Sequence, residues 1–341
     1  MRRASGLWPR IVAFDNLCAS ARRAARGKRR VAGAARFLAD LEPRVLTLQG
    51  RLANGAWRPG RAFNFVIHDP KRRTITAAPF EDRVVHHALM DVLEPVLDRR
   101  MLQESFACRR GKGTHAALRH ARSLVRRHAW FLKLDIEHCF ESLAHGVVLE
   151  TVARVVKDRR VLELCGHIVH AGGIERRGLP IGNLSSQWFA NLVLDRIDHF
   201  IKERLRVRGY VRYMDDFVLF ADAKDPLARA YEAVEAFVHG RLKLRLKERA
   251  TILAPVRQGL PFLGWRIHRG TTRLRPENLR RTRRRLKRRL QQYHAGQIDE
   301  GQLASSVRSV TEHLRHGNTL FLRRGWNRSL EGEGPSAPRT A

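Results

Sequence analysis

Two adjacent carboxylates, Asp215 and Asp216, stand between two apolar segments of the chain. Val211 on one side and Phe217 to Phe220 on the other are typical of short buried strands, which places the carboxylates at the turn of a hairpin. Two like charges at the end of a packed sheet are unfavourable unless something neutralises them. Mg²⁺ prefers oxygen ligands and often binds through one or two carboxylates together with substrate phosphates. The pattern therefore indicates a divalent-metal site, and a solvated Asp-Asp turn is the alternative.

The segment Tyr213 to Asp216 resembles the Tyr-x-Asp-Asp motif of reverse transcriptases. A third carboxylate, Asp135, ends the apolar segment Trp130 to Leu134 and resembles the first polymerase carboxylate of that family. The resemblance implies that the three aspartates are catalytic and that they hold two Mg²⁺ ions, for which Mn²⁺ can substitute. It also implies that the backbone carbonyl of Ile136 is a further metal ligand.

Other segments resemble the nucleotide-binding parts of these polymerases. Phe63 to Ile67 and Thr74 to Thr76 predict a hairpin, and Lys71 and Arg73 lie at the start of its return strand. The resemblance assigns both cations to the incoming deoxynucleoside triphosphate, and a solvated basic turn is the alternative for either one. Phe140 matches the aromatic gate that excludes a ribose 2′-hydroxyl, and simple core packing is its alternative.

The segment Arg177 to Leu192 is a Gly-rich turn that enters an amphipathic helix, so its backbone can approach a ligand closely. It resembles the motif beneath the nascent base pair, where most reverse transcriptases have Gln before the Gly. Here Ile181 precedes Gly182, and Ser186-Gln187 stands where group II intron and retron types usually carry Ser-Pro. This combination resembles the reverse transcriptases of diversity-generating retroelements, which copy template adenines with errors. Loss of a polar contact to the nucleotide would weaken discrimination between base pairs.

The strict alternation from Leu242 to Lys247 predicts a strand with one buried face. A lysine in this region protonates pyrophosphate in the wider polymerase family, so Lys247 is a candidate general acid by resemblance, with Lys243 as the second choice. An ordinary basic strand is the alternative. Further on, Phe262 to Ile267 resembles the primer-grip hairpin at the end of the palm.

Lys and Arg number 66 against 33 Asp and Glu, which gives a formal net charge of +33. Self-repulsion of this size opposes a compact fold unless a polyanion neutralises it, and nucleic acid is the first candidate. Arg109 and Lys112, in a basic Gly-rich turn, could hold a template phosphate. Residues 273–289 contain many cations and a single acid, Glu277, which favours a helix along a duplex backbone over a merely solvated helix. The candidate contacts on that helix are Arg281, Arg284, Arg285 and Arg288.

Cysteine usage and hydropathy bound the location of the protein. The four cysteines, at positions 18, 108, 139 and 165, show no Cys-x-x-Cys spacing, so neither a zinc site nor a disulfide framework is indicated. Such usage favours a reducing compartment, and we expect a cytoplasmic protein. The sequence contains no run of about 18 apolar residues, so we expect no membrane span and no membrane partner.

The resemblance implies an α+β fold: a right-hand polymerase with fingers, a palm of antiparallel sheet plus helices, and a short helical thumb. The expected parts are a basic helical segment at 1–60, fingers at 61–130, a palm at 131–270 with part of the fingers at 146–180, a thumb at 271–327 and a disordered tail at 328–341. The implied partners are a template RNA, the RNA/DNA hybrid, dNTPs and a small basic oligomeric accessory protein.

Two rival interpretations remain at this point. One is another bacterial reverse transcriptase, of a CRISPR-associated or phage-defence type. The other is a non-catalytic RNA-binding scaffold, which would keep the basic surface but would need no carboxylates. Neither the Asn-Ala-x-x-His nor the Val-Thr-Gly segment of retron enzymes occurs in the chain, which favours the diversity-generating type.

Overall fold

The computed structural model of the protein describes residues 3–68 and 72–324. Within these residues, helices surround antiparallel sheets, and helices and strands are numbered below in chain order. No helix in this part of the chain is both long enough and apolar enough to cross a membrane.

The described N-terminal region is helical, as its apolar spacing predicts. Its helices are α1 (Trp8–Ile11), α2 (Phe14–Ala24), α3 (Ala32–Ala39) and α4 (Leu41–Ala53). Helix α2 buries Leu17, Ala21 and Ala24 along one face, and the two small alanines let it pack closely against the long helix Phe80–Asp98. The apolar pattern that runs from Phe37 to Leu48 is interrupted at Asp40, so it forms two helices.

A two-stranded hairpin follows, made of β1 (Phe63–Ile67) and β2 (Arg73–Ala77). The strands are antiparallel, with Phe63 opposite Ala77 and Ile67 opposite Arg73. The predicted hairpin is therefore confirmed. Lys71 lies outside the described residues.

Two helices lead from the hairpin to the central sheet: α5 (Phe80–Asp98) and α6 (Thr114–Arg127). Pro79 precedes α5, and Glu81 and Asp82 lie in its first turn, where acids complement the positive end of the helix. The Asp82 carboxylate also accepts a hydrogen bond from the Gly60 amide at 2.8 Å. This contact ties the segment before the hairpin to α5.

The central sheet contains β3 (Trp130–Asp135), β4 (Gly209–Tyr213), β5 (Asp216–Ala221) and β6 (Ile252–Pro255), in the spatial order β4-β5-β3-β6. All of its neighbouring strands are antiparallel. Side chains alternate between the two faces. Leu134 and Phe217 belong to a large core with the N-terminal helices, whereas Phe131 and Val218 belong to a second core with the C-terminal elements.

Between β3 and β4 the chain is helical. The helices are α7 (Cys139–Ser142), α8 (His145–Ala153), α9 (Arg159–His170) and α10 (Leu184–His199). Most of α10 is buried, and it continues into a π-helical turn, Phe200–Arg204. Helix α10 contacts α5 and α8, and its Asn191 accepts a hydrogen bond from Arg212 of β4, so it connects the N-terminal helices to the central sheet.

Helix α11 (Lys224–Phe237) follows β5 and ends in a π-helical turn, Val238–Leu242. The predicted strand from Leu242 to Lys247 is wrong. Leu242, Leu244 and Leu246 are buried as the alternation indicates, but Lys243 adopts a left-handed conformation with φ 58°. In this segment only an isolated bridge forms, between Leu246 and Ile136.

The described C-terminal part consists of a small sheet and two long helices. They are β7 (Leu260–Phe262), β8 (Trp265–Ile267), β9 (Thr272–Leu274), α12 (Pro276–His294) and α13 (Glu300–Arg315). Residues 320–324 are helical as well. Asp299 and Gln302 form a capping box at the start of α13. The expected tail at 328–341 lies outside the described residues.

A histidine at the end of α10 makes stability depend on pH. The imidazole of His199 contacts Glu203 at 2.6 Å and Asp195 at 3.4 Å. The interaction with Asp195 raises the pKa of His199 most, burial opposes it and Glu203 adds to it, so the pKa rises to about 10. Because the pKa of His199 is higher in the folded state, its protonation stabilises the fold. The stabilisation is complete below the unfolded-state pKa of about 6.5 and is lost as the pH rises through the folded-state pKa.

We therefore expect His199→Gln to destabilise the protein most at pH 6 and progressively less as the pH approaches 10. Urea unfolding of wild type and variant at pH 6, 8 and 10 measures this trend. His294→Gln, on an exposed position of α12, is the matched control and should show no such trend. A destabilisation of His199→Gln that is equal at all three pH values would contradict the ion-pair explanation.

Candidate active site

The central sheet brings the three predicted carboxylates to one end. Asp135, the last residue of β3, lies directly opposite Asp216, the first residue of β5. Tyr213 pairs with Asp216, so Met214 and Asp215 form a two-residue hairpin loop between β4 and β5. The backbone amide that follows Asp135 donates to the Asp215 carbonyl at 3.2 Å. The strand register therefore places the third carboxylate next to the pair, although it is far away in sequence.

The hairpin loop has a constrained backbone. Met214 has a φ of 57°, a left-handed conformation that is uncommon for residues other than glycine, Asn and Asp. Next to it, the Tyr213 hydroxyl accepts a hydrogen bond from Thr114 Oγ1 at 3.0 Å. The loop is thus held from the side by the first residue of α6.

The carboxylates perturb one another. Burial raises the pKa of Asp215, and the nearby charge of Asp135 raises it further. Burial also raises the pKa of Asp216, to about 6, even though Lys133 opposes the shift. The Lys133 ammonium forms an ion pair with Asp216 Oδ1 at 2.6 Å. The end of the sheet is therefore a place where negative charge needs a cation.

Donor chemistry suits these residues to a divalent cation, because carboxylate oxygens are the ligands that Mg²⁺ prefers. Among residues 3–68 and 72–324, no three or more His, Cys, Asp or Glu side chains are arranged as a ready-made metal site. In this structure Lys133 supplies the positive charge beside Asp216. The aspartates suit a divalent cation because they are negatively charged and poorly solvated.

Two more candidates lie beside Asp135. Ile136 is buried, and its role as a carbonyl ligand stays a prediction. The Lys247 amide donates to the Asp135 carbonyl at 2.8 Å, so the backbone of Lys247 adjoins the site. Its side chain lines a groove of about 780 Å³ together with Glu137 and Arg249, and its role as a general acid stays a prediction as well.

The segment that carries Ile181 is attached to the hairpin of β1 and β2. The Thr76 amide donates to the Ile181 carbonyl at 2.9 Å. Gly182 has a φ of 121°, and a Cβ at this position would lie 2.9 Å from Cγ2 of Ile75. Arg73, at the start of β2, lies close enough to the site for its charge to lower the pKa of Asp215. The structure thus brings Ile181 and Gly182 against the strand that begins with Arg73, and the charge of Arg73 reaches Asp215.

Phe140 and Gln187 flank this arrangement. Phe140 lies in α7 and is half-buried against the main core. Its carbonyl accepts a hydrogen bond from the Leu179 amide at 2.7 Å, which links α7 to the segment before Ile181. Gln187 is exposed on α10, where its Oε1 lies 3.6 Å from the Cys108 thiol. Their contacts with nucleotide stay predictions.

The predicted phosphate contact of Arg109 is wrong. This arginine is buried, and its guanidinium bonds to the Asp98 carboxylate and to four backbone carbonyls. The carbonyls belong to Asp98, Met101, Leu102 and Ser105. All five guanidinium N–H groups are therefore engaged inside the protein, and the residue shapes the turn that follows α5.

Lys112 is partly engaged in the same turn. Its ammonium donates to the Gln103 carbonyl at 2.6 Å and lies 5.0 Å from the centre of the Phe106 ring. Burial lowers the pKa of Lys112 to about 8. Of the two basic residues predicted in this turn, Lys112 is the one that keeps some exposure.

The basic helix predicted at 273–289 is α12, and its candidate arginines are exposed. These are Arg281, Arg284, Arg285 and Arg288. Their spacing of three, four and seven residues places them on one side of the helix. Arg281 and Arg285 also line a cavity of about 790 Å³ between α12, α13 and the turn at Leu263 and Gly264.

Sequence reasoning missed two cations that the structure places at the site. Lys133 lies two residues before Asp135 in an otherwise apolar strand, and Arg212 lies two residues before the hairpin loop. A charge inside an apolar strand was the available signal in both cases. Their partners, Asp216 for Lys133 and Asp198 for Arg212, could not be read from the sequence.

The contact between Gly182 and Ile75 yields a structural prediction. Gly182→Ala should push β2 away from Ile181, because the new methyl group would meet Ile75 Cγ2. We expect the Thr76 amide to exchange with solvent about fivefold faster, which corresponds to the loss of one hydrogen bond of about 1 kcal/mol. Hydrogen–deuterium exchange of the hairpin measures this.

Gly146→Ala in α8 is the control for that experiment, because no atom lies within 4 Å of the added carbon. It should leave the hairpin unchanged. Exchange in β2 that is the same in Gly182→Ala and in wild type would show that the hairpin does not depend on this glycine.

Comparisons with known proteins agree with this geometry. The family model described as reverse transcriptase (RNA-dependent DNA polymerase) matches residues 68–267. Protein YkfC of Escherichia coli is 25% identical over 281 residues, which cover 69% of this chain and 74% of YkfC. The group II intron-encoded protein LtrA of Lactococcus lactis is 21% identical over 298 residues, covering 66% of this chain and 50% of LtrA.

A solved structure shows the same fold. Apo telomerase from Candida tropicalis, truncated from its C-terminal domain, aligns with a TM-score of 0.50 at 12% sequence identity, over 67% of this chain and 59% of the telomerase chain. The protein therefore has the α+β fold of these polymerases. Because the family model matches more than half of this chain, the chain belongs to the reverse transcriptase family of RNA-dependent DNA polymerases.

Proposed function

We propose that the protein copies an RNA template into DNA by two-metal nucleotidyl transfer, with Asp135, Asp215 and Asp216 as the catalytic carboxylates. The observation that carries this proposal is the strand register, which sets Asp135 opposite Asp216 at the end of the sheet. The family provides the reaction, and the register provides a place where it can occur. A scaffold without catalysis would gain nothing from holding three repelling carboxylates together.

In this proposal Asp135, Asp215, Asp216 and the Ile136 carbonyl hold Mg²⁺, or Mn²⁺ in its place. When bound, the ions would supply the charge needed to activate the primer 3′-hydroxyl and to stabilise the leaving pyrophosphate. Lys133, which neutralises Asp216 in this structure, would give up that partner as a divalent ion arrives.

The remaining candidates handle the nucleotide. The charge of Arg73 acts to lower the pKa of Asp215, which supports a role for Arg73 in neutralising the triphosphate. Its planar fork of donors suits that role. Lys71 would assist, Phe140 would exclude a ribose 2′-hydroxyl, and Lys247 would protonate the pyrophosphate. These roles rest on the family resemblance and on the positions described above.

We also assign the parts of the polymerase. Residues 61–130, with 146–180, form the fingers; the central sheet and its helices form the palm within 131–270; and α12 and α13 form the thumb within 271–327. Exposed arginines of α12 would run along the phosphates of the RNA/DNA hybrid, which gives binding without reading sequence. The basic N-terminal segment at 1–60 would bind further RNA.

For the biological role we propose a mutagenic reverse transcriptase of a diversity-generating retroelement. It would work with a template RNA and a small basic accessory protein, in a bacterial cytoplasm. Ile181 in place of Gln supports this, because it removes a polar group from a backbone segment that adjoins the hairpin. The similarity to LtrA favours a second candidate, an intron-type reverse transcriptase that copies accurately.

Primer extension separates these possibilities. Purified protein is supplied with an RNA template, a DNA primer, dNTPs and Mg²⁺, and every product is sequenced. Errors concentrated at template adenines would support the mutagenic role, and accurate products would favour the intron-type role. If no synthesis occurs even with the accessory protein and cognate RNA, the polymerase proposal fails.

The carboxylate assignment has a direct test. Asp215→Asn with Asp216→Asn should reduce nucleotide incorporation about a thousandfold or more, because the ligands for the metal charge are lost. RNA affinity, measured by filter binding, should stay within about twofold, since phosphate contacts come from cations elsewhere. The matched control is Asp222→Asn with Asp225→Asn, two exposed acids just beyond β5. Undiminished synthesis by the Asp215/Asp216 variant would refute the assignment.

The fidelity assignment has its own test. Ile181→Gln restores the polar side chain and should lower misincorporation at template adenines by about tenfold, the discrimination that one new contact of about 1.4 kcal/mol gives. Ile174→Gln, the same change on an isoleucine that is 81% exposed in the preceding turn, is the control. An unchanged error spectrum in Ile181→Gln would place the cause of infidelity outside this residue.

A further inference from the structure

A charged side chain lies buried directly behind the hairpin loop that Met214 and Asp215 form. Arg212, on β4, is completely buried, and so is the Asp198 carboxylate that it pairs with. A guanidinium in such a place is costly unless its charge is balanced and each N–H has an acceptor. The arrangement of those acceptors indicates what the residue does.

All five N–H groups of Arg212 have an acceptor. Nε and Nη2 form a bidentate pair with Asp198, both at 2.6 Å, and Nη2 also donates to Ser105 Oγ at 2.9 Å. Nη1 donates to Asn191 Oδ1 at 2.6 Å and to the Met214 carbonyl at 3.1 Å. The hydrogen bond to the Met214 carbonyl connects Arg212 directly to the hairpin loop.

Two partners of Arg212 each make a further hydrogen bond. The Tyr210 hydroxyl donates to Asp198 at 2.6 Å, and the Asn191 amide donates to the Ala107 carbonyl at 3.0 Å. Burial alone would lower the pKa of Arg212, but the charge of Asp198 overcomes this and raises it above its ordinary value. The guanidinium therefore stays charged and its position is determined from several sides.

The Met214 carbonyl is the part of the loop that this rigid group can control. Met214 holds a left-handed conformation, which costs a non-glycine residue about 1 kcal/mol. The peptide unit that contains this carbonyl ends at the Cα of Asp215. Its orientation therefore sets the direction in which the Asp215 side chain leaves the loop.

We propose that Arg212 is a positioning residue: its hydrogen bond to the Met214 carbonyl fixes the loop so that Asp215 and Asp216 face their divalent cation. This inference rests on the polymerase function proposed above and deepens it. Arg212 touches neither substrate nor metal and acts through the backbone of the loop. The competing explanation is that the Arg212–Asp198 pair only stabilises the fold.

Arg212→Lys separates the two explanations. Lysine keeps the charge beside Asp198, but its single ammonium cannot reproduce the planar fork that spans Asp198 and Met214. Tyr210→Phe is the matched control, because it removes a hydrogen bond from the same carboxylate without touching the loop. Each variant is examined by thermal unfolding, by Mn²⁺ binding followed with electron paramagnetic resonance, and by primer-extension kinetics.

We expect Arg212→Lys to bind Mn²⁺ several-fold more weakly and to lose about 100-fold in kcat, the order that a displacement of about 1 Å costs. Its KM for dNTP should stay within about twofold of wild type. Tyr210→Phe should lower thermal stability while its Mn²⁺ affinity and kcat per folded molecule stay at the wild-type level. Wild-type Mn²⁺ affinity and kcat in folded Arg212→Lys would overturn the proposal, and so would an equal loss of both in Tyr210→Phe.

A second variant covers the case in which Arg212→Lys does not fold. Arg212→Met with Asp198→Leu replaces the buried pair by apolar groups, a change that is often neutral or stabilising. This double variant should fold and show the same loss of Mn²⁺ affinity; wild-type affinity in it would overturn the proposal. Because Mn²⁺ binding needs no template, wild type that binds Mn²⁺ without synthesis would defeat the proposed function while the comparison still decides the role of Arg212.

Discussion

Three carboxylates that repel one another are held together at the end of one sheet, and the architecture around them depends on this constraint. Residues directly opposite in antiparallel strands have Cβ atoms about 5 Å apart, so the pairing of Asp135 with Asp216 is set by register alone. A slip of one residue between β3 and β5 would turn either Phe131 or Val218 toward the wrong core. Apolar burial on both faces of the sheet therefore resists the slip that would relieve the repulsion. The hydrophobic pattern is what keeps the charges in place.

The ion pairs on the two faces of the central sheet differ in their exposure to solvent. On the helical side, Arg212 and Asp198 form a closed pair with every donor satisfied and no access to solvent. On the other side, the ion pair of Lys133 with Asp216 keeps some exposure, and Arg73 acts from a separate hairpin. The closed pair can hold geometry because it has no alternative partner. The partly exposed pair is free to exchange partners, so one sheet combines a fixed support with a replaceable neutralising charge.

Sequence patterns predicted the β1–β2 hairpin, the hairpin that carries Asp215 and Asp216, and the apolar strand that ends at Asp135, because those features are local or are marked by side chains. They did not predict β6 or β9. The alternation from Leu242 to Lys247 correctly indicated which leucines are buried, yet the backbone there is a π-helical turn followed by an irregular segment. Periodicity reports the environment of side chains, and it does not report whether a neighbouring strand is present to pair. The register between β3 and β5 and the contact of Thr76 with Ile181 are likewise long-range facts. No window of sequence contains both partners.

The arginines show the same limit of sequence-based prediction, because net charge does not tell which of them are exposed. A formal charge of +33 implies a polyanionic partner, but it does not say which cations face that partner. Arg109 uses four of its five donors on backbone carbonyls, and Arg212 uses two of its five on an amide oxygen and a carbonyl. Such acceptors leave no acidic signature in the sequence. The four candidate arginines of α12 have few acids near them and are exposed; they are Arg281, Arg284, Arg285 and Arg288. A planar group with five donors can organise a loop as well as bind a phosphate, so burial decides between the two roles. We therefore propose that any polyanion-binding surface is smaller than the net charge implies and lies on exposed helices such as α12.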